Sequence, residues 1–156
     1  MATEIERKFL LQSDAWRAKA SGALIRQGYL SSARQAVVRI RVIEGKAWLT
    51  VKGETRNLTR AEFEYEIPVS DANQMLDELC EQPLIEKTRH HLTHADHDWV
   101  IDEFHGVNDG LIVAEIELSS EDEFFEQPDW LGEEVSDDPR YFNSNLIKHP
   151  YSKWQD

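Results

Sequence analysis

The side chains of this chain that could do chemistry come in sorted charged sets. Glu4, Glu6 and Lys8 occupy every second position near the start, and Arg39 and Arg41 repeat that spacing further on. Glu62, Glu64 and Glu66 follow it, then Lys87 with Arg89 and Glu115 with Glu117, while Lys52 and Asp102 stand singly. Alternate residues of a β-strand face the same way, so each set makes one face of its own strand. Carboxylates so placed can hold hard divalent cations, which prefer oxygen ligands. Arg and Lys so placed can grip successive phosphates, Arg through a planar fork and Lys as a mobile point charge. A solvated sheet face usually mixes its signs, because like charges opposite one another destabilise by about 0.2–1 kcal/mol. Here, Lys8 aside, the signs are separated into two cationic pairs, two acidic pairs and an acidic triplet, as expected if the faces converge on a lumen. Buried carboxylates are costly, so that lumen requires cations or Lys/Arg partners.

The elements that must position these residues are mostly strands. Period-two alternation predicts strands over 3–11, 23–30, 36–43, 46–52, 60–69, 84–91, 99–104 and 111–118. Glu44-Gly45 reads as a hairpin turn, and 105–110 reads as another. Eight strands with short connections predict a mainly β, α+β domain, an antiparallel barrel closed on itself so that no edge is left exposed. Peripheral helices are predicted over 13–19, over 70–81 with Ser70 as cap, and from Asp138-Pro139 through Lys148, with a further short one within 119–130. An eight-stranded barrel has room inside for side chains or one small ligand.

Composition narrows the class. The 156 residues carry 17 Lys+Arg against 30 Asp+Glu, a net charge of −13, which disfavours a nucleic-acid partner. The acidity is uneven: residues 1–90 hold 14 Lys/Arg and 13 Asp/Glu, residues 91–156 hold 3 and 17, so the cationic positions lie in a nearly neutral region. One cysteine, Cys80, excludes an intrachain disulfide and a Cys-rich zinc site. No apolar run is long enough to span a bilayer, and the first residues lack a signal-peptide layout, so a single cytoplasmic domain over 1–156 without a membrane partner is expected.

The ordered set resembles the CYTH superfamily of triphosphate tunnel metalloenzymes across nearly the whole chain. The likeness runs from Glu4-x-Glu6-x-Lys8 through Arg26-Gln27-Gly28-Tyr29, Arg39-x-Arg41, Thr50-Val51-Lys52 and Arg60-Ala61-Glu62-Phe63-Glu64. It continues through Glu86-Lys87-Thr88-Arg89, Asp102, Glu115-Ile116-Glu117 and the tail Trp130-Leu131-Gly132-Glu133-Glu134-Val135, which is similar to compact bacterial members. The resemblance implies a tunnel that binds a small triphosphate and works with Mg2+ or Mn2+, two divalent cations per site. It assigns Lys8, Arg39, Arg41, Lys52, Lys87 and Arg89 to the phosphates. It makes Glu4, Glu6, Glu115 and Glu117 the metal ligands, with Glu62, Glu64 and Asp102 second to them, and leaves Glu66 and Glu103 outside the site. Tyr29 and Lys8 become the catalytic pair, Lys8 lowering the pKa of Tyr29 or holding a water through it.

The expected activity is metal-dependent hydrolysis of inorganic triphosphate, by a monomer or homodimer. Within the same fold the alternatives are a class IV adenylate cyclase and a thiamine triphosphatase; outside enzymology, a polyphosphate- or nucleotide-binding module. Arg140 either reaches the tunnel mouth or pairs with the acidic tail. His90, His91, His94 and His97 read as a solvated loop rather than a metal site, and Trp48, Trp99 and Trp130 as packing groups.

Overall fold

The computed structural model describes residues 2–154. All eight expected strands form: β1 Ala2–Leu11, β2 Ser21–Ala33, β3 Ala36–Ile43, β4 Lys46–Gly53, β5 Thr59–Ile67, β6 Ile85–His94, β7 His97–Phe104 and β8 Ile112–Glu117. They follow one another around the sheet as β5-β4-β3-β2-β6-β7-β8-β1, and β5 pairs back onto β1, closing an antiparallel barrel. The β3–β4 hairpin turns on Glu44 and Gly45, both at positive φ, as two-residue hairpins require.

β1 carries the closure. Glu6–Phe9 pair with β8 in the register Glu6↔Glu117 and Lys8↔Glu115, while Ala2–Ile5 pair with β5 as Ala2↔Glu62 and Glu4↔Arg60. Where β5 departs, a short ninth strand, β9 Leu131–Glu134, takes over the pairing at Phe9↔Glu134 and Leu11↔Leu131. This strand was not expected: four residues, Leu-Gly-Glu-Glu, are too few to show alternation. A Cβ on Gly132 would stand 2.9 Å from the Leu10 carbonyl oxygen, so only glycine lets β9 come this close.

Alternation sends apolar side chains outward as well as charged ones inward. Phe9, Trp16, Trp99, Ile101, Ile116 and Trp130 form one external cluster under the connections. Ile40, Ala47, Ala72, Leu76 and Cys80 form a second, where the helix α1, Val69–Glu78, lies across β2–β4. α1 begins after Pro68 with no side-chain cap, not at a Ser70 cap, and ends before 81. Gly28 lets it approach, since a Cβ there would meet Cys80 Cβ at 2.9 Å.

A third cluster closes one end of the barrel. Inward-facing Tyr29, Ile85, Phe104 and Val113 pack against Tyr141, Leu146 and Ile147 of the C-terminal segment. That segment is not the continuous helix expected through Lys148. A 3-10 turn, Pro139–Tyr141, is followed by extended Phe142 and by the short helix α2, Asn143–Leu146. Asp138 caps the turn as its sequence suggests, accepting from the Arg140 backbone N–H. The 13–19 segment forms a 3-10 helix over Ala15–Lys19, and no helix forms within 119–130.

Candidate active site

The barrel interior holds a cavity of about 270 Å³, reached by every strand that carries a sorted charged set. Lys8, Arg39, Arg41, Lys52, Lys87 and Arg89 all line it, as do Glu4, Glu6, Glu62, Glu64, Glu115 and Glu117. Asp102 lies just behind this surface, 1 % exposed, and Glu66 is exposed to solvent. Glu103 lies on the outer wall, accepting from Arg17 and His90.

The cations concentrate near the closed end. Lys8 is 7 % exposed; its ammonium donates to the Tyr141 carbonyl at 3.4 Å and sits 5.5 Å from the centre of the Phe142 ring. Lys87 is 1 % exposed and donates to Asp102 at 2.7 Å and to the Asn143 side-chain oxygen at 2.7 Å. Arg89 forks onto Asp102 at 2.8 and 2.9 Å. Burial alone would raise the Asp102 pKa, but Arg89 and Lys87 hold its carboxylate far below the usual range. Asp102 is thereby committed to orienting two cations, which argues against the ligand role suggested for it.

Arg39 donates to Thr50, and Thr50 donates to Glu64 at 3.1 Å. The Arg39 Nε is buried with no hydrogen-bond partner among the described residues. A buried guanidinium N–H without a partner is rare and costly, and an anionic oxygen would satisfy it. Burial, with Arg39 and Arg89 close by, works against the charge on Arg41, which an anion would likewise relieve.

The carboxylates divide into paired and unpaired groups. Glu4 accepts from Lys52 at 2.8 Å, Glu62 lies 3.5 Å from the same ammonium, and Glu115 lies 3.7 Å from Arg89. Burial would raise the Glu115 pKa, yet Lys8 and Arg89 bring it down to about 2. Among the described residues no salt bridge reaches Glu6 or Glu117, which face one another across β1 and β8. Burial, then Glu115 and Glu4 beside it, push the Glu6 carboxyl up to about 8, despite Lys8 and Lys52. Among the described residues no three acidic or imidazole groups stand together in metal-holding geometry. The chemistry of the donors nonetheless fits a hard divalent cation at Glu6 and Glu117, with Glu4 and Glu115 beside them, because such a charge would offset their repulsion.

Tyr29 lines the cavity and is 3 % exposed. Lys8, Arg39 and Arg41 do act to lower its pKa, but burial outweighs them and the net direction is upward. Its oxygen accepts from Gln27 at 3.3 Å. Arg140 pairs with Asp138 and packs over Trp154, so of the two positions open to it, the pairing is realised. The histidines are not in a solvated loop: they sit on β6 and β7, where His90 pairs with Glu103 and His97 with Glu123.

Several lining groups were not singled out. Arg60 donates to the Gly53 carbonyl and lies 4.0 Å from Glu4; its place two residues before Glu62 on the same face was a signal for it. Asn143 gave none, being a single neutral residue without a pattern, while Gln27 and Thr50, buried behind the lining, lie inside the quoted motifs with no charge to mark them.

Comparison with known proteins adds an independent line. The profile of the CYTH domain family matches residues 2–151. An inorganic triphosphatase of Acetivibrio thermocellus is 49 % identical over 156 residues, covering 100 % of both chains. One from Nitrosomonas europaea is 36 % identical over 148 residues, covering 92 % of this chain and 96 % of its own. A solved structure described as an inorganic triphosphatase superposes with a TM-score of 0.66 at 35 % identity, covering 94 % of this chain and 95 % of that one.

Proposed function

This chain belongs to the CYTH domain family, and from that premise we propose that it is a metal-dependent inorganic triphosphatase, splitting triphosphate into pyrophosphate and phosphate. One observation carries the reading: unsatisfied groups of both signs share one cavity, the orphaned Arg39 Nε among cations and the unpaired Glu6 and Glu117 among carboxylates. A phosphate chain with its divalent cation supplies what each lacks.

Lys8, Arg39, Arg41, Lys52, Lys87 and Arg89 bind the phosphate oxygens and hold the chain for in-line attack. Phosphoryl transfer asks chiefly for positioning and charge stabilisation, so no nucleophilic side chain is needed. Glu6 and Glu117, with Glu4 and Glu115, hold Mg2+ or Mn2+; Glu62 and Glu64 are secondary. Bound there, the cations supply neutralisation of phosphoryl oxygens and activation of the attacking water. The water oxygen bonds to a terminal phosphorus as the P–O bond to the bridging oxygen breaks, and pyrophosphate leaves, taking up the proton that the water gives up. Tyr29 remains a phenol through burial, and its oxygen already accepts from Gln27, so it serves as a donor to the phosphate chain, not as a base. The protein works on small triphosphates in the cytoplasm, as monomer or homodimer, without a nucleic-acid partner.

The test is a parallel assay of tripolyphosphate, ATP and thiamine triphosphate under Mg2+ and under Mn2+. Tripolyphosphate should be turned over with the highest kcat/KM and chelation should abolish the activity. Dominant cyclic AMP formation, or turnover indifferent to chelator, would overturn the assignment.

A further inference from the structure

The C-terminal segment does more than close the barrel. Asn143, the first residue of α2, reaches the cavity wall, and its side-chain oxygen accepts two hydrogen bonds from different strands. One comes from the Lys87 ammonium on β6 at 2.7 Å, the other from the Gln27 amide on β2 at 3.0 Å. Gln27 is fully buried, and its own oxygen accepts from Arg41 Nε at 2.8 Å. Lysine and arginine can only donate, so the oxygens of Asn143 and Gln27 must face them, and both amide orientations are thereby fixed. The second Gln27 N–H goes to the Tyr29 oxygen.

The relay uses few of the protons on the cations it touches. Lys87 spends two of its three on Asp102 and Asn143, leaving one for a ligand. Arg41 spends only its Nε–H, so among the described residues both terminal nitrogens are without a protein partner while lining the cavity. Two cations that would repel one another, on strands separated by β2, are thus tied to the closing segment, Lys87 directly and Arg41 through Gln27.

We propose that Asn143, acting through Lys87 and through Gln27, is a positioning residue that holds the Lys87 ammonium and the Arg41 guanidinium with their free N–H groups turned toward the phosphate chain. It rests on the triphosphate reading only for the identity of the ligand. Positioning of this kind matters because displacing a reacting or binding group by about 1 Å can cost about a hundredfold in rate. An equivalent apolar side chain would fill the space but leave the Lys87 ammonium and the Gln27 amide each one acceptor short.

The experiment is a double-mutant cycle between Asn143→Leu and Lys87→Met, read by steady-state kinetics on tripolyphosphate with Mg2+. Tripolyphosphate binding is followed in parallel by calorimetry in chelator. Asn143→Leu alone should raise KM and weaken metal-free binding by about tenfold to a hundredfold, the range for losing a hydrogen bond to a charged group, with a smaller change in kcat. In the Lys87→Met background the share carried by Lys87 should disappear, and in a Lys87→Met, Gln27→Leu background most of the whole penalty, because both groups through which Asn143 acts are gone. A full penalty that persists there would mean that Asn143 merely holds the closing segment in place, and would overturn the proposal. So would unchanged KM and unchanged binding in the single variant. Asn143→Ala, run through the same cycle, gives the same decision if the Leu variant fails to fold. If wild type binds tripolyphosphate without hydrolysing it, the triphosphatase reading falls, and the binding arm still decides the role of Asn143.

Discussion

The two sides of the barrel wall solve opposite problems with the same strands. Outward residues such as Trp99, Ile101 and Ile116 are buried among apolar neighbours and supply the hydrophobic stabilisation, each large side chain contributing about 1.5–3 kcal/mol. Inward residues of the same strands are Asp102, as fully buried and paired with Lys87 and Arg89, and Glu115, half-buried beside Arg89 and under the charge of Lys8. Ion pairs so deeply desolvated contribute little net stability, since the Coulombic gain is offset by the cost of leaving water. Stability therefore resides outside the wall and ligand recognition inside it, one residue apart along the chain.

The sharpest way to break that division is Trp99→Ala. It should cost about 3–5 kcal/mol of unfolding free energy, measured by denaturant titration, while kcat/KM of the folded protein stays near wild type. A large loss of activity in folded protein would show that the two sides are coupled. The inward counterpart is Glu6→Gln, expected to lower turnover by about a hundredfold to a thousandfold, as for other groups that stabilise transition-state charge. Its melting temperature at pH 8 and above should not fall, since an unpaired carboxylate opposite Glu117 is removed.

A pH series sharpens the same contrast. The Glu6 carboxyl is raised in the folded state from 4.5 to about 8, so the native protein binds a proton there that the unfolded chain releases. The Glu6 contribution to stability is therefore fully present at low pH and declines as pH rises from 4.5 to about 8. Melting curves of metal-free wild type should show this decline relative to Glu6→Gln, and added Mn2+ should stabilise wild type more at the upper end. The smallest effect is expected for Glu66→Ala. This exposed member of the β5 triplet should change stability by no more than about 0.5 kcal/mol and leave tripolyphosphate turnover unaltered.

Much of this architecture was legible because period two reports a strand and its two faces together. Once Arg39 and Arg41 share a face, so must Ile40 turn away, and the structure has Ile40 in the external cluster under α1. What alternation cannot report is a partner far along the chain. β9 is too short to show a period, and its pairing depends on the close approach at Gly132. The C-terminal helix breaks at Phe142, whose extended backbone carries its ring toward Lys8, a contact spanning most of the sequence. Asn143 and Gln27 are neutral, so no charge pattern marks them, and their importance lies in which donors face them. The net direction of the Tyr29 pKa was also hidden, because it depends on how completely the closing segment excludes water.

The threefold partnership of β1 carries a consequence for how the molecule comes into being. Lys8 is made long before its neighbour in register, Glu115, and the edge beside it is completed only by β9 and Ser136, later still. Contacts of such sequence separation form slowly, since the intervening chain must first give up its freedom. The later part of β1 must therefore wait for β8 and β9 with its edges unpaired, an invitation to mispairing that the charges at Glu6 and Lys8 help to discourage. The cradle is completed last, when the Asn143 segment emerges, so a truncated nascent chain holds the cations without the geometry that makes them selective.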